Sequence, residues 1–461
     1  NARRVWIEAG KPRGMQYVTY ANYKHAKKMF ASEQRRAIDE VERKFVFDLN
    51  TYAECDNNLF WGLIQKRKGK PRSTCSQILT ESGLTRDPSL ITEGFSSFYT
   101  ELYAPLQANH FDDDFRSFVE REVSSQKEAN SHLRNSPNIV PNLTPDLVEK
   151  HVRSLKSRKA SSFDNIHNEH LKLGGHSLYI SLAKLFNRII ETGLIPKLCK
   201  KGLIIPVYKD NGKSRTDAQN YRPITLLPVI YKLFEQILHE KLNAWVISEN
   251  IKFPSVQQNA YQRHLGALTA SFCLQESIFN NIEQTSKVYV ATLDTKKAFD
   301  TVWLQGVFYK LFKLGITGKM WTLLVNAHTD MASCVQVNGI RSSSFPVRQG
   351  IRQGGVISTW IYNQFIDELL NNLEQSGHSV KVLHHITGNT TLADDVTLCA
   401  LSPVNLQYML DIVYRYTQQY RYQINALKSS VITFGKKGRS AKAVQLCMGS
   451  DTIVNTDCIK H

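Results

Sequence analysis

Thr391-Leu392-Ala393-Asp394-Asp395-Val396-Thr397-Leu398 is the stretch on which the fold turns. Two adjacent carboxylates stand between short apolar, β-prone runs. Along a strand, neighbouring side chains point to opposite faces. An Asp-Asp pair in mid-strand would therefore drive one acid into a core, at high cost. The tip of a tight hairpin avoids this and lets both acids reach a common point. Two like charges that close need a cation. Carboxylate oxygens suit Mg²⁺, which takes one or two of them and fills its shell with phosphate oxygens and water. In isolation the pair reads as an exposed acidic turn. A second acid upstream changes that reading. Lys287 to Leu293 reads as a buried strand ending in Asp294, and Thr295 to Asp300 leads into a helix. An acid at a strand end beside an acidic hairpin tip is an arrangement that holds two metal ions for phosphoryl or nucleotidyl transfer.

The 461 residues leave room for two or three domains and a large core. Apolar content is 42% and charged content 21%, both ordinary for a soluble globular protein. No apolar run reaches the roughly 18 residues of a membrane helix. The chain starts at Asn1 without a signal-like segment and is expected to be a piece of a longer product. A net charge of +17 favours a polyanionic partner. The eight cysteines form no Cys-x-x-Cys pair and none lies near clustered histidines. That argues against a zinc site or a disulfide framework, and for a reducing compartment.

From Tyr17 to Asp48 there is no Gly or Pro, which predicts one or two helices. Lys24, Lys27, Lys28, Arg35 and Arg36 recur there among Tyr20, Tyr23 and Phe30, as in an RNA-contacting extension or a solvated helix face. Asp112-Asp113-Asp114 carries no assigned chemistry, and polar Ser124 to Pro141 reads as a loop. Thr144-Pro145-Asp146 opens a helix with Thr144 as its N-cap and Leu147, Val148, Val152 and Leu155 inward. Leu203 to Tyr208 is an apolar strand ending in Lys209; a turn at Asp210-Asn211-Gly212 returns the chain to Arg222. Such a hairpin projects Lys209 and Arg222 over a phosphate chain, where a guanidinium fork binds two oxygens at once. Taken alone they read as two surface cations. Leu304, Val307, Phe308, Leu311 and Phe312 mark a helix ending near Gly315, and Asn338-Gly339 marks a hairpin. Ser402-Pro403 starts a helix with Leu406, Met409, Leu410, Val413 and Tyr416 inward; Val431 to Phe434 closes the sheet, and a strand pair begins after Gly435.

Leu293-Asp294-Thr295-Lys296-Lys297-Ala298-Phe299-Asp300, then Arg348-Gln349-Gly350-Ile351-Arg352-Gln353-Gly354-Gly355-Val356-Ile357-Ser358, then Leu392-Ala393-Asp394-Asp395 resemble in order and spacing the palm motifs of a reverse transcriptase. They are most similar to those of the LINE-type, non-LTR retrotransposon family. The resemblance runs from about Lys159 to the C-terminus. Lys159 to Ile166 resembles the first fingers motif, with Ser162 at the usual glycine, and Gln258 to Arg263 resembles a template-side motif, with Ala260 near another. The resemblance implies an α+β, right-hand polymerase fold. Its parts would be fingers over 143–285 and the palm over 286–440; ahead of them the residues read as a basic helical N-terminal extension over 1–105 and a connector over 106–142. Residues 441–461 would start a thumb or primer-grip region, with the thumb itself missing.

The function implied is RNA-directed DNA polymerisation, adding dNTPs to a primer 3′-hydroxyl on an RNA template. Asp294 and Asp394 would bridge two Mg²⁺ ions, assisted by Asp395, one metal activating the hydroxyl and the other holding the triphosphate. Lys209 and Arg222 would neutralise the phosphates. Phe299 stands where the family carries an aromatic gate against the ribose 2′-hydroxyl; a plain core phenylalanine is the alternative. Gln353 and Gly354 resemble the nucleotide and template contact, glycine permitting close backbone approach. Lys428 resembles a palm lysine that assists pyrophosphate departure, and Tyr261 and Arg263 would face the template. Asp300 is expected well inside the next helix and not as a ligand. Gly355, Val356, Thr359 and Leu392 depart from the usual residues and leave the three acids intact. The implied partners are an RNA template, including the element's own RNA, a DNA primer and dNTPs, with no membrane and with action inside the cell, in the nucleus. Rival readings are a catalytically silent RNA-binding palm, a group II intron-type maturase, and an RNA-copying RNA polymerase, the last disfavoured by Phe299.

Overall fold

Val288, Val290, Ala291 and Leu293 are buried on both faces of one strand, Lys287–Leu293, which is central to the largest sheet. The computed structural model describes residues 2–68, 75–81, 83–132, 142–209, 212–285, 287–435 and 444–456, divided between a unit Asn1–Thr74 and a unit Cys75–His461.

The largest sheet has six strands in the order Thr391–Leu392, Asp395–Ala400, Lys287–Leu293, Ser430–Gly435, Asp451–Asn455, Leu446–Met448. All neighbours are antiparallel except Ser430–Gly435 with Asp451–Asn455. Successive residues serve different clusters, as a two-residue period requires. Val288 and Val290 pack with Ile278, Val380 and Cys399, while Ala291 and Leu293 join the main core. The strand pair foreseen after Gly435 forms and adds two strands to this sheet.

The second sheet joins Tyr221–Leu226, Lys201–Tyr208, Met331–Val337 and Ile340–Arg341, with Phe345–Val347 also on Met331–Val337. Lys201–Tyr208 runs parallel to Met331–Val337, so strands expected in the fingers and in the palm share one sheet. Pro206 lies opposite Pro223, beyond Ile204, where pairing with Met331–Val337 stops, so the missing N–H groups interrupt no central ladder. Asn338 and Gly339 both have positive φ, as a type I′ turn demands.

The expected helical faces are buried: Leu304, Val307, Phe308 and Leu311 in Leu304–Lys313, and Leu406, Met409, Leu410, Val413 and Tyr416 in Pro403–Tyr420. Ser402 caps the latter by accepting from Asn405 N at 3.1 Å, and Thr144 caps Pro145–Ser154 by accepting from Leu147 N at 3.3 Å. Two expectations about helices need correction. The polar stretch read as a loop from Ser124 is helical as far as His132, within Asp113–His132; residues 133–141 lie outside the described residues. Asp112 caps this helix and Val119 and Val123 bury its inner face, so a nucleated first half extends into the polar turns. Asp300 lies in a turn ahead of the helix, which begins only at Leu304.

Residues 75–105, expected in the N-terminal extension, belong to the second unit, and Ile91, Phe95 and Tyr99 of Pro88–Leu102 enter its core. In the first unit, Val18–Cys55 is a single helix of 38 residues with no buried residue. Trp6 stacks on Tyr23 at 4.5 Å, and Arg67 of Asn57–Lys68 reaches Glu42 at 2.7 Å.

Candidate active site

The strands Lys287–Leu293 and Asp395–Ala400 end their pairing at Leu293 and Val396, and the next residues outward are Asp294 and Asp395. Val290 faces Cys399 and Thr292 faces Thr397, so the same alternation puts Asp294 and Asp395 on one face. Leu392 pairs with Asp395, which leaves Ala393 and Asp394 as the two residues of a tight turn. Ala393 has φ +59°, a conformation a β-carbon disfavours. Gln258 holds it there. Its Oε1 accepts from Ala393 N at 2.9 Å and its Nε2 donates to Ala393 O at 3.2 Å. Gln258 is 1% exposed, and sequence reasoning gave it no role beyond the start of a motif. A glutamine among other amides at Gln257-Gln258-Asn259 carries no local signal of what it clamps.

The Asp394 carboxyl is pushed up to about 6, first by burial and then by the charges of Asp395 and Asp294, against the pull of Arg222. Asp294 is covered by the turn that follows the Pro403–Tyr420 helix. Asn425 Nδ2 donates to its Oδ2 at 3.3 Å, Lys428 Nζ lies 3.4 Å away, and its N–H donates to Ser429 Oγ at 3.1 Å. Among the described residues, no three Asp, Glu, His or Cys side chains already stand as a metal-holding group. The donor set nevertheless fits a hard divalent cation: the three acids are all-oxygen and share one strand end, and the charges of Asp395 and Asp294 raise the proton affinity of Asp394.

Lys209 and Arg222 lie on the two sides of the cationic hairpin, whose register pairs Val207 with Arg222. Asp210 and Asn211, expected in its turn, lie outside the described residues. Lys209 Nζ donates to Gln219 O at 3.0 Å. Burial lowers the Lys209 pKa, Asp300 opposes, and Arg222, Lys428 and Lys213 lower it further. Lys297 is lowered by burial too, again with Asp300 opposing and Lys209 adding.

Phe299 stacks on Tyr362 with centroids 4.6 Å apart and meets the edge of Tyr261 at 6.0 Å. Tyr362 and Tyr422 hydroxyls lie 2.7 Å apart, Tyr422 reaches Thr295 Oγ1 at 2.9 Å, and Thr295 donates to Asp394 O at 3.1 Å. The aromatic wall is thus wired to the acid hairpin. Tyr261, half exposed, has its hydroxyl pushed up to about 12 by burial and by Asp394 and Asp395. Arg263 is exposed two residues further on.

The loop carrying Gln353 and Gly354 lies against the edge strand Tyr221–Leu226. Thr225 N donates to Gln353 O at 2.7 Å, and a β-carbon on Gly354 would lie 2.4 Å from Thr225 O, so only glycine fits. Val356 N donates to buried Glu235 at 2.7 Å. Gln353 Nε2 donates to Asp300, which also accepts from the Tyr103 hydroxyl. Burial pushes the Asp300 carboxyl up to about 7, against the bonds from Gln353 and Tyr103. Tyr103 comes from the stretch expected as an extension, so sequence reasoning missed it.

Acids at the end of two paired strands, a cationic hairpin and an aromatic wall stand together in a mixed α and β unit, the arrangement of a polymerase palm. The chain belongs to the family described as reverse transcriptase (RNA-dependent DNA polymerase), which matches residues 207–452. It is 25% identical over 449 residues to the RNA-directed DNA polymerase from mobile element jockey of Drosophila melanogaster, covering 96% of this chain and 47% of that protein. The Drosophila funebris jockey polymerase is 26% identical over 328 residues, 69% of this chain and 34% of its own. The Pol polyprotein from type-1 retrotransposable element R2 of Popillia japonica is 29% identical over 221 residues, 48% of this chain and 30% of its own. The chain spans half or less of the length of these relatives. These matches uphold the resemblance to LINE-type reverse transcriptases. No helix among the described residues is long and apolar enough to cross a membrane.

Proposed function

We propose that this chain is the fingers and palm of a non-LTR retrotransposon polymerase, extending a DNA primer with dNTPs on an RNA template, the element's own RNA among them. What supports the reading most is the meeting of Asp294 with Asp394 and Asp395 at one strand end. These carboxylates would hold two Mg²⁺ ions, which when bound supply Lewis-acid stabilisation of the attacking and leaving oxygens. Lys209 and Arg222 bind and orient the triphosphate. Phe299, braced by Tyr362 and Tyr261, excludes a 2′-hydroxyl from the sugar site. Gln353 and the bare backbone of Gly354 meet the nucleotide, and Tyr261 and Arg263 meet the template. Lys428, beside Asp294, gives a proton to the departing pyrophosphate. The setting is intracellular, with action in the nucleus.

The test is extension of a DNA primer on an RNA template with dNTPs and Mg²⁺. Asp294→Asn is expected to abolish synthesis while RNA retention on a gel persists. Undiminished synthesis by this variant would overturn the assignment of the acids.

A further inference from the structure

Asp300 occupies a place that its position in the sequence did not suggest. It is 4% exposed, and its oxygens accept from Gln353 Nε2 at 3.0 and 2.9 Å and from the Tyr103 hydroxyl at 3.2 Å. Above about pH 7, where its raised carboxyl is ionised, Asp300 only accepts hydrogen bonds, whereas an amide has a donating and an accepting end. Asp300 therefore dictates which end of Gln353 turns inward: the NH₂ group faces Asp300, and Oε1 faces away. The backbone of the loop is fixed separately. Gly350 N donates to Val302 O and Ile351 N to Phe299 O, both at 2.8 Å, and Thr225 N donates to Gln353 O at 2.7 Å. Those bonds locate the residue but leave its amide two orientations half a turn apart, which only a side-chain partner distinguishes. Lys297 and Lys209 supply the positive field around Asp300.

We propose that Asp300, held by Tyr103, is a positioning residue for the incoming nucleotide: it orients the Gln353 amide so that an accepting oxygen is presented. This rests on Gln353 contacting the nucleotide, as proposed above. The group that meets Gln353 is then a hydrogen-bond donor. Without the carboxylate the amide turns over in part of the population and opposes donor to donor.

The experiment uses the full chain with a chain-terminated DNA primer on an RNA template, and reads the dNTP concentration that half-saturates the ternary complex on a gel. Asp300→Asn keeps the shape but offers an NH₂ group to Oε1, which favours the turned amide. It should raise the half-saturating concentration about tenfold, the scale of one misdirected hydrogen bond. Tyr103→Phe should raise it a few-fold. Combining either with Gln353→Ala should be no worse than Gln353→Ala alone, because no amide is left to orient. If the two losses multiply instead, Asp300 acts by another route and the inference fails. If Gln353→Ala weakens binding and neither Asp300→Asn nor Tyr103→Phe does, the positioning role fails alone. If Gln353→Ala binds dNTP as the parent does, the nucleotide contact fails and this inference with it. Should Asp300→Asn melt early, Tyr103→Phe carries the same comparison, and unchanged binding by it overturns the inference.

Discussion

A single uncharged side chain decides where the acid pair points. Ala393 is held at positive φ by both ends of the Gln258 amide. Gln258→Leu would fill the space and leave the Ala393 N–H and C=O without that partner. Each such buried group costs about 1–3 kcal/mol. We expect a lower melting temperature and a loss of DNA synthesis far larger than the loss of RNA binding; a variant that melts early but polymerises at the parental rate would show the clamp to be dispensable for the site. Phe299 is the second decisive residue, since its ring lies flat on Tyr362. Phe299→Val should narrow the preference for dNTP over rNTP in single-nucleotide incorporation by about tenfold or more, as contacts of one bulky group do. A ratio equal to the parent's would return Phe299 to the role of a core residue.

At the scale of elements, three helices meet at one buried cation. Lys310 of Leu304–Lys313 is 3% exposed. It donates to Phe365 O at 2.6 Å and the Tyr416 hydroxyl at 3.1 Å, lies 3.2 Å from Glu368, and sits 3.7 Å from the centroid of Tyr420. Burial pushes its pKa down to about 8, against the pull of Glu368. Lys310→Ala removes the hydrogen bonds and ring contacts of a buried side chain and opens a cavity, which we expect to cost roughly 2–5 kcal/mol in denaturant unfolding. Lys310→Met keeps the volume and should cost less; equal losses would mean that the lost charge and its bonds, and not the cavity, set the cost. The helix pattern here was legible because apolar residues recur with the helical period. The Asp113–His132 helix was half hidden for the opposite reason: its later turns face water and carry no such period.

Across the whole molecule the excess of positive charge is the feature that sequence reports most directly. A net +17 over 461 residues makes nucleic-acid affinity an ion-release process. For about six phosphate contacts, RNA affinity should fall roughly 10³-fold between about 50 and 200 mM salt. A flat response in a filter-binding titration would count against a basic RNA-binding surface. The division of the chain was less legible. The sequence reading put a boundary near 105, yet Tyr103 reaches Asp300 and Ile91, Phe95 and Tyr99 lie in the core of the unit that begins at Cys75.

Local chemistry alone determined the strand ending in Asp294, the tight hairpin carrying Asp394 and Asp395, the cationic hairpin and the capped helices. Each depends on side-chain period, turn preference or capping within a few residues, and those are written in order along the chain. Only tertiary structure decided that Gln258 clamps Ala393, that Tyr103 and Gln353 share Asp300, and that Lys428 lies against Asp294. Such contacts join residues far apart in sequence, and an amide or a hydroxyl has no preferred partner until packing removes the water it would otherwise bond.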